Sequence, residues 1–311
     1  MTRVLLITPA RDEAAHLERT VRAVAAQTRP PDLWLMVDDG SADATPRLLR
    51  DLEAEVPFLK TLIAPQPVAK RQNDRLAQAA EVRAFNLALS TVDVSAFTHV
   101  GKLDADIELP AAYFERLLAQ FDQQPRLGVA GGVLLEPGRN GWHRTSVPSY
   151  HVRGALKLYS RRCLEDIGGV EERLGWDTID ETYARMRGYD TRSIEGLIAK
   201  HHRPVATADG TLRGRARHGQ CAYVVRYGPG WVMLRSLKVA CSKPRGISGL
   251  AFLYGYLRSM VRRDDRVEDE RFRRFVAREL QARVRLSTMG FLRRSPGRRE
   301  DAQVTPFSVR S

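Results

Sequence analysis

Two hydrophobic periods alternate through the first 135 residues. Val4 to Ile7 and Leu33 to Val37 are short apolar runs closed by Thr8-Pro9 and Asp38-Asp39, the form of buried strands. Between them Ala14, Leu17, Val21 and Val24 recur at helical spacing, which predicts a helix over 13–27 with Asp12 as its cap and Pro30-Pro31 as its stop. A second helix is predicted over 41–55, capped by Ser41 or Asp43, with Leu48, Leu49 and Leu52 on its apolar face. The pattern repeats with strands at 61–63 and 97–103 and helices at 72–89 and 111–121. Such alternation predicts an α/β fold with a mostly parallel central sheet flanked by helices.

From Gly128 to Gly169 the pattern is more strand-like, with a short helix near 162–167 stopped by Gly168-Gly169. A helix over 178–187 ends at Gly188. Beyond Asp209 the composition changes, and a strongly charged helix is predicted over 268–285. The domain reading is a catalytic α/β unit over 1–210, a basic helical extension over 211–292 and a disordered tail over 293–311.

Charge sharpens that division. The net +13 is carried by the last third: residues 211–311 hold 23 Lys+Arg against 8 Asp+Glu, leaving 27 against 29 before them. Such asymmetry points to an anionic surface as partner, an anionic membrane before nucleic acid. The aromatics there follow no nucleic-acid-binding pattern. Arg beside Trp231, Met233, Leu234, Phe252 and Tyr254 fits a helix lying in a membrane interface. No run reaches the ~20 apolar residues that span a bilayer, so no transmembrane helix is expected. Three widely spaced cysteines show no zinc or disulfide pattern, which suggests a reducing, cytoplasmic setting, peripheral on the inner face of the plasma membrane.

Candidate chemistry lies where strands end. Asp38-Asp39-Gly40-Ser41 follows one strand and Asp104-Ala105-Asp106 another, and ligands of open α/β sheets gather at such ends. Strand alternation would turn Asp104 and Asp106 to one side, where a bridging cation would relieve their repulsion. Oxygen ligands suit Mg²⁺ or Mn²⁺, commonly shared with substrate phosphates.

As an ordered set, these motifs resemble the family-2 glycosyltransferases of GT-A fold. The matching stretches are Ile7 to Glu13, Val37 to Ser41, Ala84-Phe85-Asn86, Leu103 to Asp106, Arg153-Gly154, Gly168-Gly169, the acidic Gly175 to Glu181, and Gly188-Tyr189. The resemblance spans about residues 3 to 205. It implies an inverting, metal-dependent transfer of one sugar from a nucleoside diphosphate sugar, UDP- or GDP-linked, to an acceptor hydroxyl. Thr8 and Asp39 would contact base and ribose, Arg83 the diphosphate, Asp104 the ribose or sugar, and Asp106 the metal. Ala10 and Arg153, within matched motifs, join the nucleotide-sugar site. The family's base is an acidic pair before a helix. Here the pair is replaced by Trp176-Asp177, so Asp177 is favoured while Asp180 and Glu181 compete. His201 or His202, with His202 preferred, would complete the metal shell. Arg215 and Arg217 are candidates to close over the diphosphate by bidentate contacts. The Arg-Trp signature of sugar-polymerising relatives is absent, which argues for a non-processive hexosyltransferase. The implied acceptor is a lipid-linked or surface-polysaccharide precursor, a glycan or glycolipid. The competing reading is a non-catalytic binder of sugar nucleotides or anionic surfaces.

Overall fold

The computed structural model describes residues 2–65, 79–138, 140–145, 147–203 and 210–293, with side chains to residue 284. Its centre is one nine-stranded sheet. Strands β1 (Val4–Ala10), β2 (Leu33–Asp38), β3 (Leu59–Ile63) and β4 (His99–Leu103) form the first half in the order β3-β2-β1-β4, all parallel. Beyond β4 come β8 (Leu156–Ser160), β6 (Leu127–Gly138), β9 (Asp190–His201) and β5 (Ile107–Glu108), with β7 (Gly141–Arg144) paired to β6. β8 runs antiparallel to both β4 and β6, so the sheet is mixed, and parallel throughout only in its first half. The difference arises because β8 follows a loop return after β6 rather than a helical crossover.

β1 is buried on both faces, as a central strand must be. Val4, Leu6 and Ala10 pack with helices α1 (Leu17–Ala25), α2 (Thr45–Glu55) and α4 (Tyr113–Gln123). Leu5 and Ile7 pack on the other side with α3 (Ala80–Ser90), α5 (Arg161–Asp166) and α6 (Trp176–Met186). The helix expected from residue 13 begins at Leu17. Asp12 has a left-handed φ of 54° and spends its carboxylate on the Ala42 amide rather than on a cap. The helix expected over 72–89 is seen from Ala80, its earlier part lying outside the described residues.

After residue 210 the chain forms α7 (Gly210–Val224), α8 (Pro229–Ala240), α9 (Ile247–Arg262) and α10 (Glu270–Arg293). These helices enclose a third apolar cluster around Tyr223, Val232, Phe252 and Phe272, joined to the sheet-bearing part through Ile179 of α6. The Asp269 carboxylate accepts from the Arg271 and Phe272 amides and caps α10, which runs further than the sequence suggested. The tail from residue 294 lies outside the described residues.

Candidate active site

The loops after β1 and β2 are tied together by side-chain oxygens. Ser41 Oγ accepts from the Asp12 amide, Thr45 Oγ1 from Glu13, and Asp43 Oδ2 from Ala14, at 2.8–3.0 Å. Ser41 and Asp43, read as helix caps, therefore fix one loop against another. Asp38 is buried and closes its own turn by accepting from the Ser41 amide. Asp39 is half-buried; its amide donates to Ala10 O and its carbonyl accepts from Arg11.

The Thr8 side chain is turned into the core. It is fully buried and accepts from Trp34 Nε1 at 2.9 Å. The period of two explains this: Thr8 shares a face with Val4 and Leu6, which pack into the core. Ala10 turns the same way, and its carbonyl is taken by Asp39.

Asp104 and Asp106 lie in a turn just past β4, so strand alternation does not set their directions. Asp104 is held by Lys102 Nζ. Asp106 is buried, with Oδ2 3.3 Å from His201 Nε2 and 3.8 Å from Arg203 Nε, while Oδ1 has no hydrogen-bond partner. Burial pushes the Asp106 carboxyl up, but the His201 contact and the charges of His201 and Arg203 outweigh it and hold it below its ordinary value. Burial also opposes a charged His201, yet Asp106 and Glu136 carry its ring up to about 9. Glu13, bonded to Arg203, is pushed up to about 8 by burial and by the Asp106 charge.

The histidine beside Asp106 is thus His201, not His202. In β9 successive side chains point to opposite faces, and His202 follows the strand's last residue. His202 instead meets Glu108 at 2.8 Å and lies edge-on to Trp142. A buried carboxylate oxygen without a partner beside an imidazole fits one corner of a divalent-cation site. Among the described residues no cluster of three or more His, Cys, Asp or Glu forms a complete cage.

Two buried lysines organise the rest. Lys102 of β4 and Lys157 of β8 stand opposite each other in register, with the Trp176 indole 5.2 Å from each ammonium. Like charges placed so repel unless each is paired. Lys102 takes Asp104; Lys157 takes Asp180 at 2.9 Å and Glu181 at 3.1 Å.

That pairing separates the three candidate bases. The Asp180 and Glu181 side chains are 0% and 1% exposed. Asp180 also accepts from Tyr159, while Glu181 accepts from the Val152 amide and lies 2.9 Å from His151 Nδ1. Both belong to the core's polar network, shielded from solvent. The Asp177 side chain is 35% exposed in the first turn of α6, 3.9 Å from His151 Nε2. Burial works against a charged His151, but Glu181 and then Asp177 raise it above its ordinary value.

Of the arginines, Arg153 donates to Glu136 at 2.7 Å. Arg83 projects from the exposed side of α3, and Arg215 and Arg217 are half-buried on α7. His218 of α7 is held below its ordinary value, by burial first and then by the Arg215 and Arg235 charges, with Asp177 of α6 acting against them. Lys102, Lys157, His151, Glu13, Glu136 and Arg203 were missed from the sequence. Only the lysines left a signal, each a lone cation inside an apolar strand.

The parallel half-sheet with acidic turns at its strand ends, continued by antiparallel strands and the acidic helix α6, is the architecture of the GT-A class of glycosyltransferases. Similar solved structures have the same fold. The mannosyltransferase PcManGT from Pyrobaculum calidifontis, in complex with GDP-Man and Mn²⁺, is 19% identical, covers 94% of this chain and 81% of that chain, and has a TM-score of 0.54. GalNAc-T7 with UDP, GalNAc and Mn²⁺ is 11% identical, covers 89% of this chain and 56% of that one, and has a TM-score of 0.56. No curated protein matches the chain. The model of glycosyl transferase family 2 matches residues 5–164, more than half of the chain. The chain belongs to glycosyl transferase family 2 and is a glycosyltransferase.

Proposed function

We propose that this enzyme moves one sugar, with inversion, from a UDP- or GDP-sugar to an acceptor hydroxyl, using Mg²⁺ or Mn²⁺. The observation that carries the proposal is the buried, unpartnered Asp106 Oδ1 beside His201 at the sheet's carboxyl edge. Asp106 and, once its ring proton is displaced, His201 would hold the cation, which would supply Lewis-acid stabilisation of the leaving diphosphate. Lys102 fixes Asp104 toward the ribose or sugar, and Asp39 takes base or ribose. Arg83, Arg153, Arg215 and Arg217 offset phosphate charge. Asp177 removes the acceptor's proton as the new bond forms. The acceptor is a lipid-linked or surface-polysaccharide precursor, met at the inner face of a membrane.

The test is turnover against a panel of UDP- and GDP-sugars with lipid-phosphate and glycan acceptors. One donor should be consumed with metal present. Asp177→Asn should lower kcat by about 10²–10⁴-fold while leaving donor affinity within a few-fold. Full activity in that variant would remove Asp177 as the base.

A further inference from the structure

The packed helices α8 and α9 leave many large apolar side chains uncovered. Among the described residues fourteen large hydrophobic side chains are exposed, and nine belong to these two helices. On α9, Ile247, Leu250, Tyr254, Leu257 and Val261 recur at spacings of three and four, a single stripe along the helix; Leu250 is 68% and Val261 79% exposed. Leu234 and Leu237 extend the patch onto α8. The other side of α9 is the packed one. Gly255 lies so close to α7 that an added Cβ would come within 1.8 Å of the Ala216 carbonyl oxygen. The stripe therefore cannot be the helix's buried side turned outward.

Charge selects the occupant. From Thr211 to Arg263 there are eleven Lys and Arg and not one Asp or Glu. Lys243 and Arg245 lie in the turn joining the two helices, and Arg262 and Arg263 at the far end of α9, all exposed. The apolar stripe is thus bracketed by cations at both ends. A second protein surface would require matched carboxylates at two separated places. A lipid bilayer meets both demands at once, with acyl chains under the stripe and anionic headgroups around it. No helix among the described residues is long and apolar enough to cross a membrane, so the pair would lie in the interface plane.

We propose that the exposed face of α8–α9 docks this enzyme on an anionic membrane, with Leu234, Leu237 and the α9 stripe entering the headgroup–acyl boundary. The docking surface stands without the transferase mechanism. Only its purpose, presenting a lipid-borne acceptor to Asp177 beside α7, rests on the proposed function.

The experiment is flotation of the full-length protein with vesicles of phosphatidylcholine alone, or with about a third phosphatidylglycerol, at physiological and roughly 1 M salt. Wild type should float with anionic vesicles and be released by salt. Leu237→Glu/Leu250→Glu, at exposed positions, should lose flotation while keeping its Tm. Lys243→Gln/Arg245→Gln should weaken binding more than tenfold, taking about fivefold per cation. Failure of wild type to float, or flotation unchanged in the Leu→Glu variant, would overturn the proposal. So would a dimer in solution that the Leu→Glu variant splits while vesicles go unbound. Nucleotide binding measured without vesicles is independent of all these outcomes, so docking and transfer fail separately.

Discussion

Lys157 sits with no exposed surface between two carboxylates, and its neighbours Asp180 and Glu181 share a helix with Asp177. Residues at i, i+3 and i+4 lie on one helical face, so spacing alone cannot separate three acids placed so. Exposure does. Breaking a buried pair strands a charge, so Lys157→Met or Asp180→Asn should cost about 3–5 kcal/mol of stability in urea denaturation. Asp177→Asn should cost little stability and most of the turnover. If Asp180→Asn were as stable as wild type, the division between buried network and exposed base would be wrong. Thr8 makes the opposite point. Its parity with Val4 and Leu6 was legible, yet its motif position drew it toward the nucleotide. Thr8→Val leaves Trp34 Nε1 without an acceptor and should cost about 1–3 kcal/mol with nucleotide affinity unchanged. A loss of affinity without a loss of stability would restore Thr8 to the ligand.

At the scale of elements, the parallel half of the sheet was readable because each strand is a short apolar run followed by an amphipathic helix. In the second half the strand-like pattern over 128–169 was readable, but β9 and the antiparallel order were not, because their pairings are remote in sequence and β9 carries interior serine and lysine. Nor could His201 be told from His202 without the position at which β9 ends. The contact of α7 with α9 was also hidden, since it depends on glycines meeting across 36 residues. Added Cβ atoms at Gly219 and Gly255 would lie 1.9 Å from Phe252 O and 1.8 Å from Ala216 O. Backbone cannot yield as a flexible side chain does. Gly255→Ala should therefore lower stability by about 1–3 kcal/mol or more, read as a fall in Tm. An unchanged Tm would mean that the helices can separate at no cost.

Over the whole molecule, acid sensitivity should reflect a histidine remote from the site. His99 begins β4, is buried against Phe121, and is lowered to about 4, by burial above all. A base depressed on folding is protonated first in the unfolded chain. Stability is therefore full above about 6.5 and falls as pH drops toward 4, by at most about 3 kcal/mol from this group. His99→Gln should flatten the stability profile between pH 7 and pH 4; an unaltered slope would assign the loss to other groups. The charge division near residue 210 was plain in the sequence, whereas the exposed α8–α9 stripe needed the structure to show which side of α9 meets α7.

The most direct measurement is calorimetric titration of UDP and of GDP, with and without Mn²⁺, into wild type and Asp106→Ala. With Asp106 as a metal ligand, one nucleotide should bind in a metal-dependent way, and the variant should lose at least about tenfold in affinity. Equal binding without metal, or undiminished metal-dependent binding by Asp106→Ala, would contradict that role.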